Sequence, residues 1–355
     1  MSGKTQTGQE TYLLGVATTN PGDKYWQRDL PSLFGLQNKK NASIFINSNI
    51  ESRYLSLPAA DDSGRIPEET SLELWHKHRK QSIHAGGTVI TEVLKELNLK
   101  PTDIDYLVCV TSTGFLCPGL TAYFVKEFGF KSNIHRIDLV GMGCHGGLNG
   151  MQPIVNYCRQ FNKGHGLLVC VEICSSAYVI DTTISNAVVN SLFGDGCAAA
   201  VFGPNLSAIA CKPQILGFES HIATEEISAM RFDFDGSKNS FYLDRNIPYV
   251  IGNQVDQPVN ALLKRFDLKI RDVSHWIIHS GGKKVLDSIK YALNISAHDI
   301  RHTVSVLRDF GNLSSGSFLF SYQRLIQENL VREGDYALLM TMGPGMSIEC
   351  CLLQF

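Results

Sequence analysis

The chain lacks both a strong excess of charge and any long run of apolar residues. Among its 355 residues, 32 are lysine or arginine and 34 are aspartate or glutamate, which leaves a net charge of −2. Such a balance gives no basic surface that would attract nucleic acid or an anionic membrane. No stretch approaches the roughly 18 apolar residues of a membrane span, and the polar segment Met1–Glu10 has no signal-peptide core. We therefore expect a cytoplasmic protein that binds neither nucleic acid nor membranes.

The sequence is also poor in metal and disulfide signals, although it contains ten cysteines. Cys170 and Cys174 are four residues apart, but no second cysteine or histidine pair stands at the spacing of a zinc site. Most cysteines lie inside apolar runs of a long chain, which is typical of buried reduced thiols rather than of a small secreted scaffold. We predict no metal site.

What the chain does contain is a cysteine between glycines at the start of a predicted helix. Cys144 lies within Val140–Gly147, after the apolar run Ile134–Val140 and just before a helical stretch from Leu148. Glycines on both sides permit a sharp turn and a close approach by a substrate. A thiol at a helix start is expected to have a lowered pKa and to expose a thiolate.

Two further residues suit the same chemistry. His279 ends the predicted strand 275–279 and is followed by Ser-Gly-Gly. Asn312 stands in 310–315, which also reads as a passage from a strand into a helix. A thiol nucleophile, an imidazole base and an amide donor together are suited to reactions of thioesters. The alternatives to catalysis are structural roles: a cysteine packed in the core, a buried histidine with its hydrogen bonds satisfied, and an asparagine that caps a helix.

An internal repeat predicts that these residues meet. Residues 94–110 overlay residues 263–279 without a gap, at an offset of 169. At an offset of 168, Gly143-Cys144 falls on Gly311-Asn312. Any α/β protein repeats the succession of helix, turn and strand, but agreement of several regions at nearly one offset indicates a duplication. We expect two α/β halves, 1–205 and 206–355, packed so that the helices that follow Cys144 and Asn312 begin near one another.

Five short motifs occur in one order along the chain, and their order carries a resemblance. They are Gly-Met-Gly-Cys (141–144), Leu-Phe-Gly-Asp-Gly (192–196), His-Ser-Gly-Gly (279–282), Gly-Asn-Leu-Ser-Ser (311–315) and Gly-Pro-Gly (343–345). The set resembles the chalcone synthase-like, or type III, polyketide synthases from about Glu51 onward. It implies a thiolase-like α/β fold, a duplicated αβαβα layered sandwich, in a homodimer. Segments 140–144, 147–149 and 189–196 look closest to bacterial 3,5-dihydroxyphenylacetyl-CoA synthases.

The resemblance implies roles for individual residues. Cys144 would carry the acyl chain, and His279 and Asn312 would complete a catalytic triad. Phe193 and Phe241 would be aromatic gatekeepers beside the reacting atoms.

The remaining assignments concern the cavity and the substrate. Cys174 and Ala177 would line the cavity in which the chain grows, and Ser314 would neighbour the nucleophile in the substrate-binding site. Cys117 would reach across the dimer into the partner's cavity. The expected contacts of the coenzyme A (CoA) phosphates are Arg53, Lys283 and Lys284. Cys174 and Ala177 stand where plant members have threonines, which disfavours a flavonoid-type product.

The implied reaction is the iterative decarboxylative condensation of malonyl-CoA, with CoA thioesters as substrates and no cofactor. The product would be an aromatic or pyrone polyketide, with malonyl-CoA as both starter and extender or with another acyl-CoA as starter. A ketoacyl-acyl-carrier-protein synthase of the initiating type is the enzymatic alternative, since it also uses Cys, His and Asn. Thiolases and hydroxymethylglutaryl-CoA synthases share the fold, but Gly-Asn-Leu-Ser-Ser disfavours them. A non-catalytic scaffold is the alternative from another class.

Overall fold

The fold is built on one large mixed sheet, seen in a computed structural model that describes residues 10–161, 164–181, 183–205, 212–234 and 238–355. Within those residues the sheet has nine strands, in the order β11-β12-β13-β8-β1-β7-β6-β4-β5. The strands are β1 (Tyr12–Thr19), β2 (Asp23–Trp26), β3 (Ser52–Leu55), β4 (Ile104–Thr111), β5 (His135–Val140), β6 (His165–Glu172), β7 (Gly196–Gly203), β8 (Gln214–Ile222), β9 (Met230–Phe234), β10 (Asn239–Leu243), β11 (Val273–Ile278), β12 (Tyr336–Gly343) and β13 (Ser347–Gln354).

Helices cover both faces of this sheet. They are α1 (Leu30–Leu33), α2 (Lys39–Ile46), α3 (Ser71–Glu96), α4 (Leu120–Phe128), α5 (Gly146–Phe161), α6 (Ile184–Leu192), α7 (Ile247–Gln254), α8 (Asp256–Lys264), α9 (Lys283–Leu293), α10 (Arg301–Phe310) and α11 (Ser317–Glu328). No helix in the described part of the chain has the length and hydropathy needed to span a membrane.

Alternation along the buried strands produces the layers. On β6, Leu168 and Cys170 pack against α5 and α11, whereas Leu167 and Val169 face the cluster that includes α3. Successive side chains of a strand point to opposite faces, so an uninterrupted apolar run fits a strand buried on both sides. On β12 the same alternation directs one face toward α5 and α11 and the other toward α8 and α9. The predicted αβαβα order of layers is confirmed.

The order of the strands is that of a duplicated chain. Outward from the centre, β1, β7, β6 and β4 are matched by β8, β13, β12 and β11, and corresponding pairs run in the same relative direction. The repeated polar turns also match in detail. The amide of Lys100 donates to Asp103 at 2.7 Å, and that of Lys269 donates to Asp272 at 2.8 Å. These observations support our proposal of two similar halves; the boundary expected after residue 205 adjoins residues 206–211, which lie outside the described residues.

The two helices of the central layer begin in contact with each other. Gly147 lies so close to the other helix start that an added Cβ would stand 2.3 Å from the carbonyl oxygen of Ser315. Only glycine permits this approach without displacing the main chain. The starts of α5 and α11 therefore meet at one point, where the loops that precede them converge.

Candidate active site

A cavity of about 520 Å³ reaches from the surface to these two helix starts. It lies between α2, the end of α6, the connection from β10 to α7, and the start of α9. Cys144, His279 and Asn312 all line it. All three are nearly fully buried, so the structure brings the three sequence-predicted residues to the inner wall of one cavity.

Cys144 is held on a short 3₁₀ turn, Gly143–His145, that leads into α5. Gly143 has φ +69°, and a Cβ there would strike the ring of Pro344 at 2.3 Å. Glycine is therefore required to turn the chain sharply at this point. The turn leaves the Cys144 Sγ facing the cavity, 3.7 Å from the Ser314 hydroxyl oxygen.

His279 follows β11 directly. Its amide donates to the carbonyl oxygen of Met340 on β12 at 2.8 Å, which extends the sheet contact by one residue. Its ring Nδ1 is engaged by the hydroxyl of Ser317 at the start of α11, so Nε2 is the nitrogen available to the cavity. A hydroxyl can both donate and accept, and Ser317 therefore tolerates either neutral tautomer of the imidazole. The sequence analysis missed Ser317.

Asn312 is fixed through its main chain. Its amide donates to the carbonyl oxygen of Leu192 at 2.9 Å, and its own carbonyl oxygen accepts from the amide of Gly194 at 2.9 Å. Its side-chain Oδ1 accepts from the amide of Ser314 at 2.8 Å. That bond assigns the other end of the carboxamide, the NH₂ donor, to the cavity.

The prediction that Asn312 follows a strand is wrong. Residues Arg301–Phe310 form α10, and Asn312 makes only an isolated bridge with Phe193. The buried residues of α10 recur at the spacing of a helix, and they are His302, Thr303, Val306 and Leu307. That spacing indicates one buried helical face.

Burial dominates the electrostatics of the thiol and the imidazole. It raises the pKa of the Cys144 thiol to about 12, although Ser314 and Asn312 act in the opposite direction. Burial, with a smaller contribution from neighbouring His145, lowers the pKa of His279 to about 3. The expectation of a lowered thiol pKa from the helix start alone is therefore wrong, because burial outweighs it. At neutral pH neither group would ionise by itself.

Together the two groups can ionise more readily. Transfer of the proton from the Cys144 Sγ to the imidazole of His279 creates both charges at once. Their attraction in a buried site offsets part of the desolvation cost of each. His279 is thus the group on which the nucleophilicity of Cys144 depends.

The first prediction concerns this dependence. We expect His279→Gln to move the midpoint of Cys144 alkylation to higher pH by at least about one unit, because the thiolate loses its counter-charge. The measurement is the rate of iodoacetamide labelling at Cys144 from pH 5 to 10, read by peptide mass spectrometry. Cys158, a buried thiol of α5 that does not line the cavity, is the internal control and should be labelled alike in both proteins. Coinciding Cys144 curves would contradict the prediction.

A buried carboxylate stands behind the nucleophile. Glu172 accepts from Ser315 at 2.6 Å, from Ser314 at 3.2 Å and from the amide of Ser112 at 3.0 Å. Burial raises its pKa, and these hydrogen bonds oppose the rise. Glu172 thereby fixes the Ser314 hydroxyl that touches Cys144. No sequence pattern pointed to this role of Glu172, which ends the largely apolar strand β6.

A second, smaller chamber of about 40 Å³ adjoins the first. Cys144, Phe193 and Phe241 line both spaces. The ring centroids of the two phenylalanines are 5.7 Å apart, with an interplanar angle of 78°. Cys174 and Ala177, which were predicted to line the growth cavity, line this chamber, and so does Ser314, which was predicted to neighbour the nucleophile.

Phe232 is a wall residue that the sequence analysis missed. It lines the small chamber and packs against Phe241, with ring centroids 4.9 Å apart. The two residues are paired across the β9–β10 hairpin. Residues 235–237, between these strands, lie outside the described residues. The sequence alone does not show how β9 pairs with β10, so it could not place Phe232 beside Phe241.

Cys117 does not line either space in the single chain. It is exposed and is followed by a cis peptide bond to Pro118. Its predicted role needs the second subunit and stays a prediction.

The predicted contact of Arg53 with CoA phosphates is corrected by the structure. Arg53 is fully buried on β3, and its guanidinium donates to Gln27 at 2.9 Å, to the Tyr178 hydroxyl at 2.8 Å and to the carbonyl oxygen of Phe193. A phosphate at the mouth of the cavity cannot reach a group enclosed in this way.

Lys283 and Lys284, in contrast, line the large cavity and are exposed. They form the first turn of α9, and Lys283 is paired with Asp287 at 2.7 Å. Arg245, another exposed lining residue, was missed by the sequence analysis. The mouth of the large cavity therefore carries three cationic side chains. Among the described residues, no group of His, Cys, Asp or Glu side chains is arranged to hold a metal ion.

Two family models match most of the chain. Residues 226–355 match the family described as chalcone and stilbene synthases, C-terminal domain. Residues 57–210 match the family described as FAE1/type III polyketide synthase-like protein.

Individual relatives extend the match. The 3,5-dihydroxyphenylacetyl-CoA synthase of Streptomyces toyocaensis is 44% identical over 97% of this chain and 90% of its own length. That of Amycolatopsis orientalis is 43% identical over 97% of this chain and 94% of its own. The C-terminal type III polyketide synthase domain of Steely1 from Dictyostelium superposes with a TM-score of 0.90 at 25% identity, covering 98% of this chain and 99% of that one.

Proposed function

The chain belongs to the chalcone synthase-like type III polyketide synthases, and from that premise we propose that it makes 3,5-dihydroxyphenylacetyl-CoA from malonyl-CoA alone. The observation that carries the proposal is the meeting of Cys144, His279 and Asn312 in one cavity. The relatives that are 43–44% identical support the product. No observation favours the alternative, a synthase that depends on an acyl-carrier protein. Both relatives are named for a CoA thioester, 3,5-dihydroxyphenylacetyl-CoA.

Acylation is the first step. The Cys144 Sγ attacks the carbonyl carbon of an acyl-CoA, while His279 Nε2 takes the thiol proton. The bond from the carbonyl carbon to the CoA sulfur breaks, and His279 returns the proton to the leaving thiolate. The acyl group is then held as a thioester on Cys144.

Decarboxylation follows on a second substrate. The bond from malonyl-CoA to its carboxylate breaks, carbon dioxide leaves, and the electron pair forms an enolate on the remaining thioester. The NH₂ group of Asn312 and the Nε2–H tautomer of His279 donate to the enolate oxygen. Phe193 and Phe241 surround the reacting end with apolar surface, in which an unpaired carboxylate is costly and its loss as neutral carbon dioxide is favoured.

Condensation closes the cycle. The enolate carbon attacks the acyl thioester on Cys144, a carbon–carbon bond forms, and the bond to sulfur breaks. The thiolate of Cys144 is regenerated, and the chain, longer by two carbons, stands on CoA. Reloading the chain onto Cys144 allows the next extension.

Substrate binding rests on the mouth of the cavity. Lys283, Lys284 and Arg245 supply positive charge there, and the start of α9 adds the positive end of its helix dipole. We propose these three residues as the contacts of the CoA phosphates. The cytoplasm, where CoA thioesters are available, is the proposed location.

A homodimer is part of the proposal, with Cys117 of each chain facing its partner's chamber. The exposure of Cys117 and of Phe115 nearby supports a covered surface at this point. A single-chain mass in sedimentation at micromolar concentration would contradict it.

The experiment that tests the function is an incubation of the purified protein with malonyl-CoA as its only substrate. We expect an acyl adduct at Cys144 and an aromatic CoA thioester, identified by mass with labelled malonyl-CoA. A panel of other acyl-CoA starters in parallel tests whether malonyl-CoA suffices. A product only in their presence would refute the proposed starter, and no adduct at all would indicate a scaffold.

The second prediction concerns the narrow chamber. We expect Phe232→Ala to let the enzyme accept longer starters, such as hexanoyl-CoA, with kcat/KM raised at least about tenfold, because the ring no longer fills the wall beside Phe241. The matched control is Phe234→Ala, two residues along β9, because Phe234 is more exposed than Phe232 and lines neither space. Equal starter ranges for both variants would contradict the prediction.

A further inference from the structure

A buried arginine lies directly behind the active site, in a position that the proposed chemistry does not use. Arg53 has no exposed surface. Its Nη1 donates both to the Tyr178 hydroxyl, at 2.8 Å, and to the main-chain carbonyl oxygen of Phe193. The Tyr178 hydroxyl in turn donates to that same oxygen at 2.6 Å. The carbonyl of Phe193 is therefore held by two donors that also hold each other.

The segment held in this way is the one on which Asn312 is docked. The carbonyl oxygen of Leu192 accepts from the amide of Asn312 at 2.9 Å. The amide of Gly194 donates to the carbonyl oxygen of Asn312, also at 2.9 Å. The carbonyl of Phe193 lies between these two bonds in sequence. Any shift of the segment consequently moves both the ring of Phe193 and the main chain of Asn312.

Arg53 also packs against the turn that immediately precedes Asn312. Its Cδ would lie 2.7 Å from a Cβ built on Gly311, whose φ is +73°. Gly311 immediately precedes Asn312, so the arginine stem packs against the turn that aims the carboxamide. A substituted side chain at position 311 would displace the stem of Arg53 or strain the turn.

The charge of Arg53 is expensive for a purely structural role. Burial lowers its pKa, with Tyr178 and more distant Asp195 acting in the opposite direction. The hydrogen bonds of Asp195 go instead to Ser56 and Ser175. Among the described residues, Nη2 of Arg53 has no hydrogen-bond partner. A buried charge without a bonded counter-ion is costly. The planar guanidinium group of Arg53, however, holds Gln27, Tyr178 and Phe193 at fixed angles to one another.

We propose that Arg53 and Tyr178 are positioning residues that hold the Leu192–Gly194 segment, and through it aim the carboxamide of Asn312 and the ring of Phe193. The inference rests on the proposed function, in which Asn312 stabilises the enolate. It extends that function to two residues that do not touch the reacting atoms. Loss of the pair affects decarboxylation and leaves the loading of Cys144 nearly intact.

The test uses Tyr178→Phe, which removes one hydroxyl and keeps the ring. We expect kcat for malonyl-CoA decarboxylation to fall about tenfold with KM within twofold, while the rate of Cys144 acylation stays within twofold. Arg53→Lys should lose more, because a lysine cannot reproduce the fork. Tyr336→Phe is the matched control, since Tyr336 accepts from Gln354 at 3.2 Å at the end of β12 remote from the cavity; both parameters should stay unchanged.

A double-mutant cycle separates aiming from general loosening. In Asn312→Ala, adding Tyr178→Phe should cause a much smaller loss of decarboxylation than in the wild type, because only the ring of Phe193 is left to aim. Additive losses, or a Tyr178→Phe variant that behaves as Tyr336→Phe does, would overturn the positioning role while the proposed function stands. If Asn312→Ala decarboxylates at the wild-type rate, the proposed function and the positioning role both fall.

Discussion

Replacing Cys144 with alanine is expected to abolish polyketide formation, by at least about 10⁴-fold, while malonyl-CoA decarboxylation remains measurable. Loss of a covalent nucleophile typically costs several orders of magnitude. Cys144 lines both spaces and shares the larger one with His279 and Asn312. The donors to the enolate come from the latter two residues, so the loss of carbon dioxide does not require the thiol. Condensation does, because its acceptor is the thioester on sulfur.

The measurement combines product analysis with the mass of the intact protein after incubation with malonyl-CoA. Wild type should gain an acyl group, and Cys144→Ala should gain none. Cys158→Ala is the matched control, because Cys158 is a buried thiol of α5 that lines neither space and contacts the carbonyl oxygen of Phe202 on β7. An acyl adduct on Cys144→Ala would show that another residue is the nucleophile and would remove the basis of the assignment.

The convergence of the three residues could be predicted from the sequence because the repeat transfers local signals across the chain. Gly143 and Gly311 both adopt positive φ, at +69° and +73°, and each precedes a residue that faces the cavity. Glycine at such a point is a local requirement, and a local requirement is visible in the sequence. The repeat then sets the two glycines at corresponding places in two similar halves, and the layers bring those places together.

What could not be predicted depends on contacts that local pattern does not encode. The resemblance implied that Arg53 contacts CoA phosphates, yet its guanidinium is buried and lies behind the active site. Phe232 becomes a chamber wall only through its register with Phe241. The raised thiol pKa of Cys144 follows from burial by the whole fold, whereas the helix start, a local feature, predicts the opposite direction.

The second large effect is expected at Asn312. Asn312→Ala should lower kcat for malonyl-CoA decarboxylation by about 10²–10³-fold, because removal of one donor to a developing oxyanion typically costs about 2.7–4 kcal/mol. Acylation of Cys144 should fall less, since Asn312 is only one of several groups that oppose the rise of the thiol pKa. The docking of residue 312 on Leu192 and Gly194 uses main-chain atoms and survives the substitution. Carbon dioxide release and acyl-enzyme formation, measured separately, give the two rates.

Alanine at this position also removes the acceptor for the amide of Ser314, so a looser turn could imitate the loss of a donor. Asn312→Asp separates the two causes, because a carboxylate keeps the acceptor and replaces the NH₂ donor with a negative oxygen. If the donor is what matters, the aspartate variant should decarboxylate no faster than the alanine variant, and slower where its charge repels the enolate. If the turn is what matters, aspartate should restore most of the activity. Restoration would assign Asn312 to the architecture of the turn and leave His279 as the sole donor to the enolate.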